Sequence, residues 1–305
     1  MYEFNKRLAR ESRGGCTLSQ TSAAPKSRRV RCVCGTERAT ARDSVCLHIR
    51  RRAVRLDSLT VPQSQWYPSA RIVGGAEASD GYAAHMAALV VGRAFRGLVC
   101  GGSIVTAGRI LTAAHCIEPM VDWEGDLISS FEAVVGSNQW NSDDIVVKFS
   151  HYANHPGWDW IDIKNDIGVL FLTEDLTFTE RVQAVPLSFE WVGGGEESFV
   201  TGWGMTNWGI PDNLQLLDVS TVDPQVCIDK LQVAPFAPPM DPELEICTFH
   251  SYGHGMCNGD SGSALVSRNT GQQIGIVSWG FPCARGMPDI FVRISAYQDF
   301  ITKHI

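Results

Sequence analysis

Three short segments carry the side chains that acyl-transfer chemistry needs: Leu111-Thr112-Ala113-Ala114-His115-Cys116, Asn165-Asp166-Ile167-Gly168-Val169-Leu170 and Gly259-Asp260-Ser261-Gly262-Ser263. A serine hydroxyl is a weak nucleophile near neutral pH because it holds its proton too tightly. An imidazole beside it can take that proton as attack begins and return it to the leaving group. A buried carboxylate can hold the imidazole in one tautomer and stabilise its cation. Each segment alone admits a plainer reading. A Ser among glycines is usually a turn residue, a His beside a Cys is often structural, and an Asp ahead of an apolar strand is often a cap. The other histidines, at 48, 85, 151, 155, 250, 254 and 304, lie in no such segment.

The elements that must position these residues are short. From Ile72 onward, apolar runs alternate with Gly, Asn, Asp and Pro turns: Ala87-Ala88-Leu89-Val90-Val91, Gly102-Ser103-Ile104-Val105, Ile145-Val146-Val147-Lys148-Phe149, Ile167-Gly168-Val169-Leu170-Phe171-Leu172 and Ile274-Gly275-Ile276-Val277-Ser278. Many short strands at such spacing predict an all-β barrel or sandwich. The C-terminus differs: Ser295 is placed to cap a helix whose Tyr297, Phe300, Ile301 and Ile305 share one face. Residues 1–70, rich in Arg, Ser, Thr and Ala, show little apolar periodicity and read as disordered. Cys32, Cys34, Cys46 and His48 are poorly spaced for structural zinc. The run Arg50-Arg51-Arg52 has the charge to bind a polyanion, but reads better as part of a solvated leader.

Charge marks the same boundary. Residues 1–71 hold 15 Lys/Arg against 5 Asp/Glu, and residues 72–305 hold 11 against 28. The acidic part is therefore not expected to bind nucleic acid. The chain of 305 residues is long enough for one large or two ordinary domains, and its 29 glycines suit a turn-rich fold. No run of 18 apolar residues suggests a membrane span. Ten cysteines, six after residue 72 (100, 116, 227, 247, 257, 283) and four before it (16, 32, 34, 46), point to disulfides and an oxidising compartment. The first residues, Met1-Tyr2-Glu3-Phe4-Asn5-Lys6-Arg7, are not a signal peptide. No Asn-X-Ser/Thr acceptor for N-glycosylation is present.

With Arg71-Ile72-Val73-Gly74-Gly75 preceding them, the three segments stand in an order and at separations that resemble the chymotrypsin/trypsin-like serine protease family. The resemblance covers residues 72–305 and is nearest to arthropod digestive chymotrypsins. It implies two six-stranded antiparallel β-barrels with a C-terminal helix, behind a basic leader of residues 1–71. It implies a secreted, monomeric endopeptidase that acts on protein and peptide substrates, meets protein inhibitors, and functions in digestion. Ser261 would attack, His115 would serve as base and acid, and Asp166 would orient His115. The backbone N–H groups of Gly259 and Ser261 would form the oxyanion hole. A trypsin-like protease would cut after Arg71, and the freed ammonium of Ile72 would seek Asp260. The cysteine pairs would be Cys100–Cys116, Cys227–Cys247 and Cys257–Cys283, leaving none to tether the leader. Residues 1–71 are unlike the short, signal-led leaders of the family, so a misplaced gene start is expected. The loop start Val135-Gly136-Ser137-Asn138 lacks the acidic residue of calcium-binding members, so no metal is expected, and no cofactor is implied.

The pocket for the side chain before the cut would be built from Gly255, Met256, Ser278, Trp279, Gly280 and Asp289. Gly255 stands where trypsin-like members carry an Asp, Gly280 keeps the entrance open, and Met256 adds an apolar wall. These features favour a large apolar or aromatic side chain. Asp289, a Gly in many mammalian members, instead offers a carboxylate from the opposite wall and with it a broad or Lys/Arg preference. Ser263-Ala264, where the family usually reads Gly-Pro, would change local stiffness and not chemistry. The competing reading, a non-catalytic homologue acting as a binding protein, usually shows a lost triad residue, and none is lost here.

Overall fold

β-branched and aliphatic runs broken by Gly and polar turns give short strands, and here nearly all are antiparallel neighbours in two sheets. The computed structural model describes residues 72–305 apart from 93–94, 207, 234–236 and 282. The expectations about residues 1–71, including the leader, its cysteines and Arg71, lie outside the described residues. In chain order the elements are β1 (Ala76–Glu77), β2 (Met86–Val91), β3 (Gly97–Thr106), β4 (Arg109–Thr112), α1 (Ala114–Ile117), β5 (Phe131–Val135), β6 (Val146–Asn154) and β7 (Gly168–Leu172). They continue with β8 (Glu197–Gly202), β9 (Gln215–Ser220), α2 (Pro224–Leu231), β10 (Glu245–Thr248), β11 (Ala264–Ser267), β12 (Gln273–Gly280), β13 (Asp289–Arg293) and α3 (Gln298–His304).

The first six long strands close into a barrel in the order β2-β3-β4-β7-β6-β5. The second sheet runs β1-β9-β8-β11-β12-β13-β10. Thr221, next after β9, bridges Thr248 of β10, so β8 to β13 come round to meet their own start, with β1 added along β9. Alternation along a strand explains how the barrels join. Ala87 and Leu89 of β2 face the first barrel's core, with Ile104, Val169 and Leu170. Met86, Ala88 and Val90 face the other way and pack with Trp203 and Leu214 of the second barrel. That is why β2 is apolar throughout rather than alternating. Ile72, fully buried, belongs to the second barrel's core with Val200, Leu217, Leu265 and Phe291.

The C-terminal helix is present but starts later than the sequence suggests. A 3-10 turn, Ile294–Tyr297, precedes it, and Ser295 lies within that turn and does not cap. The tighter turn moves the helical start to Gln298, so Tyr297, Phe300 and Ile301 are buried while Ile305 is 43% exposed.

The barrels are hydrogen-bonded to one another beside Ser261. Gly101 of β3 donates its N–H to Ser261 O at 2.8 Å, and Thr112 Oγ1 of β4 donates to Gly101 O at 2.8 Å. Gly262 has φ +80°, and a Cβ there would lie 2.2 Å from Thr112 Oγ1 and 2.4 Å from Gly101 O. Three disulfides add covalent ties: Cys100–Cys116 joins β3 to α1, Cys227–Cys247 joins α2 to β10, and Cys257–Cys283 links the chain before Ser261 to the chain after β12. Gly262→Ala is therefore expected to lower unfolding stability by about 3 kcal/mol, the upper range for combined backbone strain and overpacking. Denaturant unfolding checks it, and a loss below about 1 kcal/mol would mean that the barrels part without cost.

Candidate active site

Asp166 stands just before β7, 1% exposed, behind Asn165 at φ +56°. Its Oδ1 accepts the backbone N–H of His115 at 2.9 Å. Its Oδ2 accepts from His115 Nδ1 at 2.7 Å and from Ser278 Oγ at 2.6 Å. A carboxylate can only accept, so Nδ1 carries a proton. In the neutral ring Nε2 then has a free lone pair. His115 sits in the one-turn helix α1, which follows β4 directly and is pinned by the neighbouring Cys116 to Cys100. The ligand atoms of Cys100, His115 and Cys116 lie within 4.8 Å of one another, but the two sulfurs are bonded together, so they offer no thiolates to a metal.

Ser261 lines a cavity of about 200 Å³ together with Met256, Ser278, Trp279, Gly280 and Asp289. Ser278 thus belongs to both assemblies: it walls the cavity and holds the carboxylate that holds His115. Gly259, two residues before Ser261, has φ +101°, and a Cβ there would lie 3.2 Å from Gly204 Cα. Backbone in that conformation and that close to a neighbour requires glycine.

Two acids lie buried around this cavity. Asp289 is 7% exposed and accepts the Met256 N–H at 3.1 Å. Gly255 lies opposite, where a Cβ would come 2.8 Å from Asp289 Oδ2. Burial pushes the Asp289 carboxyl up to about 7, the negative charge of Asp260 acts in the same direction, and the Met256 N–H opposes both. Asp260 is fully buried and accepts from Gly204 N at 2.8 Å and Cys257 N at 3.0 Å. Burial likewise pushes it up to about 7, against those two N–H groups. Ile72 lies buried with φ +36°, a strained conformation for a β-branched residue, and the following Val73 bridges Gly255.

Several residues escaped the sequence. Trp160 stands edge-on to His115, ring centroids 6.4 Å apart. Lys164, partly buried, and Glu245, buried, form an ion pair at 3.0 Å beside Trp279. Lys164 lies two residues before Asp166, and that nearness was its one available signal. Glu245 had none beyond being an acid at the edge of an apolar run.

A trypsin family model matches residues 72–301. The chain is 35% identical over 236 residues to Chymotrypsin-2 of Vespa crabro, covering 76% of this chain and 99% of the relative. It is 32% identical over 207 residues to Trypsin alpha-4 of Lucilia cuprina, covering 67% of this chain and 76% of the relative. It is also 32% identical over 213 residues to Trypsin alpha of Drosophila melanogaster, covering 67% and 77%. The chain belongs to the trypsin family and is a serine endopeptidase.

Proposed function

We propose that Ser261, His115 and Asp166 are the catalytic triad. The supporting observation is the Asp166 carboxylate, which holds the His115 Nδ1–H and also bonds Ser278 in the wall of the cavity that Ser261 lines. Ser261 Oγ attacks the scissile carbonyl carbon as its proton passes to His115 Nε2. The backbone N–H groups of Gly259 and Ser261 donate to the oxyanion, an interaction worth about 3–4 kcal/mol per donor in the transition state. Collapse breaks the C–N bond, and His115 returns the proton to the leaving amine. Water, activated by the same imidazole, then releases the acyl group.

The cavity is read as taking a large apolar or aromatic side chain, on the Met256 wall, the open Gly280 and the absence of an acid at Gly255. One observation favours a second reading: Asp289 lines the same cavity, so its ionised form would accept Lys or Arg. The two readings separate with pH. A carboxyl raised to about 7 is neutral below that pH and suits apolar side chains; above it the charge suits basic ones.

Activation is proposed to follow cleavage after Arg71 by a trypsin-like protease, with the new Ile72 ammonium pairing with Asp260. Support comes from the full burial of Asp260, only partly offset by the Gly204 and Cys257 N–H groups, and from the strained φ of Ile72, which cleavage would release. Residues 1–71 act as the leader in this reading. The three disulfides support secretion into an oxidising space, where a monomer would meet protein substrates and protein inhibitors.

Ser261→Ala is expected to lower kcat by roughly 10⁵–10⁶-fold and to abolish fluorophosphonate labelling; a variant that still labels would remove Ser261 from its role. For wild type, the ratio of kcat/KM for Arg over Phe peptide amides is expected to rise about tenfold from about pH 5 to about pH 8.5, as Asp289 ionises. Asp289→Asn should flatten that rise, and an unchanged slope would show that Asp289 does not reach the substrate. Asp260→Asn is expected to be cut at Arg71 normally yet stay at least about 100-fold less active, as losing one partner of a buried pair costs about 3–5 kcal/mol. N-terminal sequencing and peptide hydrolysis read the two halves of that outcome, and full activity with Asn at 260 would contradict it.

A further inference from the structure

Behind the cavity lies a charged cluster that the triad chemistry does not use. Glu245, in β10, is 4% exposed. Its Oε1 accepts from the Trp279 indole N–H at 2.7 Å and from Lys164 Nζ at 3.0 Å, and its Oε2 accepts the Asp241 N–H at 2.7 Å. Lys164 Nζ also donates to Asp162 O at 3.0 Å and lies 5.5 Å from the centroid of the Trp279 ring. One carboxylate oxygen thereby joins two elements from different barrels. Trp279 belongs to β12 and lines the cavity. Lys164 belongs to the segment between β6 and β7, which also carries Trp160 against His115 and ends in Asp166.

The backbone around Lys164 is strained in a way that aims it. Ile163 has φ +51° and Asn165 φ +56°, so two residues with a Cβ in the left-handed region flank it. Such conformations persist where surrounding contacts over-determine them. Here Asn165 Nδ2 donates to Gly157 O at 2.7 Å, and Tyr297 OH donates to Asn165 Oδ1 at 3.2 Å. A buried ion pair adds little net stability compared with apolar residues of similar size, because desolvation offsets the attraction. Its directed hydrogen bonds do fix geometry.

We propose that Glu245 is a positioning residue for substrate: through Trp279 and Lys164 it sets the spacing between the cavity wall and the segment bearing Trp160. Trp279 walls the cavity read as taking the side chain before the cut, and Trp160 stands against His115, so the stretch between them would border the acyl side of a bound peptide. The inference rests on the triad and cavity reading above and adds a requirement for extended peptides. It affects how a long acyl chain binds, while the bond-breaking atoms stay where they are.

Kinetics on three substrates test it, all sharing the side chain that wild type prefers before the cut: a single-residue ester, a peptide extended three residues on the acyl side, and a peptide extended on the leaving-group side. Glu245→Gln keeps an acceptor for the indole and removes the charge facing Lys164; Lys164→Met removes the other partner. Each is expected to lower kcat/KM for the acyl-extended peptide about tenfold, mainly through KM, the size of one lost charge-assisted hydrogen bond. The ester, the other peptide and the fluorophosphonate labelling rate should change less than twofold, and Lys164→Arg should retain most of the wild-type value. Equal losses on all three substrates would show a merely structural pair and overturn the proposal, as would no loss on the acyl-extended peptide. If Glu245→Gln yields no folded protein, Lys164→Met decides alone. Failure of wild type to hydrolyse the ester or to label at Ser261 would instead sink the triad reading.

Discussion

A carboxylate taken out of water is tolerated when its oxygens are filled by donors, and Asp166 is filled from both halves of the molecule. His115 supplies two N–H donors from the first barrel; Ser278 supplies a hydroxyl from the second. Nothing else about the site holds unless this convergence holds. If the barrels shifted relative to one another, the carboxylate would lose the Ser278 hydroxyl, and the cavity wall would lose its link to the imidazole. The neighbouring bonds from Gly101 to Ser261 and from Thr112 to Gly101 make the same demand in backbone terms. The apolar faces of β2 explain how it is met. One face fills its own barrel and the other packs on Trp203 and Leu214. Hydrophobic burial therefore supplies the driving force for docking, and the polar contacts supply the register.

How much of this was legible depended on how local the signal was. Strand-sized apolar runs and their turns were enough for an all-β fold, since period and punctuation are properties of neighbouring residues. His115, Asp166 and Ser261 drew their proposed roles for a similar reason: each lies in a short segment that resembles a motif of the family. The helix start at Ser295 was misread because a 3-10 turn and an α-helical turn share the same preferences over three or four residues. Glu245 was invisible because its meaning comes from Lys164, 81 positions away in the chain. The second role of Ser278 was hidden likewise, since the carboxylate it serves lies 112 positions away. A buried acid reads as an ordinary polar residue until its partners are in place. Trp160 reads as a loop aromatic until His115 is found beside it.

The remaining two acids, Asp260 and Asp289, lack the saturation that Asp166 enjoys, and each is raised to about 7. They also feel one another, because charge on Asp260 raises Asp289. The proposed activation step therefore reaches the pocket by electrostatics alone. Before cleavage, ionising both acids would place two negative charges in one buried region, so each holds its proton up to about pH 7. An ammonium delivered to Asp260 would stabilise its ionised form and offset the field it exerts on Asp289. Asp289 would then ionise at lower pH in the cleaved enzyme than in the precursor. On that reasoning the pocket's tolerance for basic side chains is not a fixed property of its lining. It would be set partly by whether the chain terminus at Ile72 has been made, and the proposed activation step would then couple the choice of substrate to cleavage.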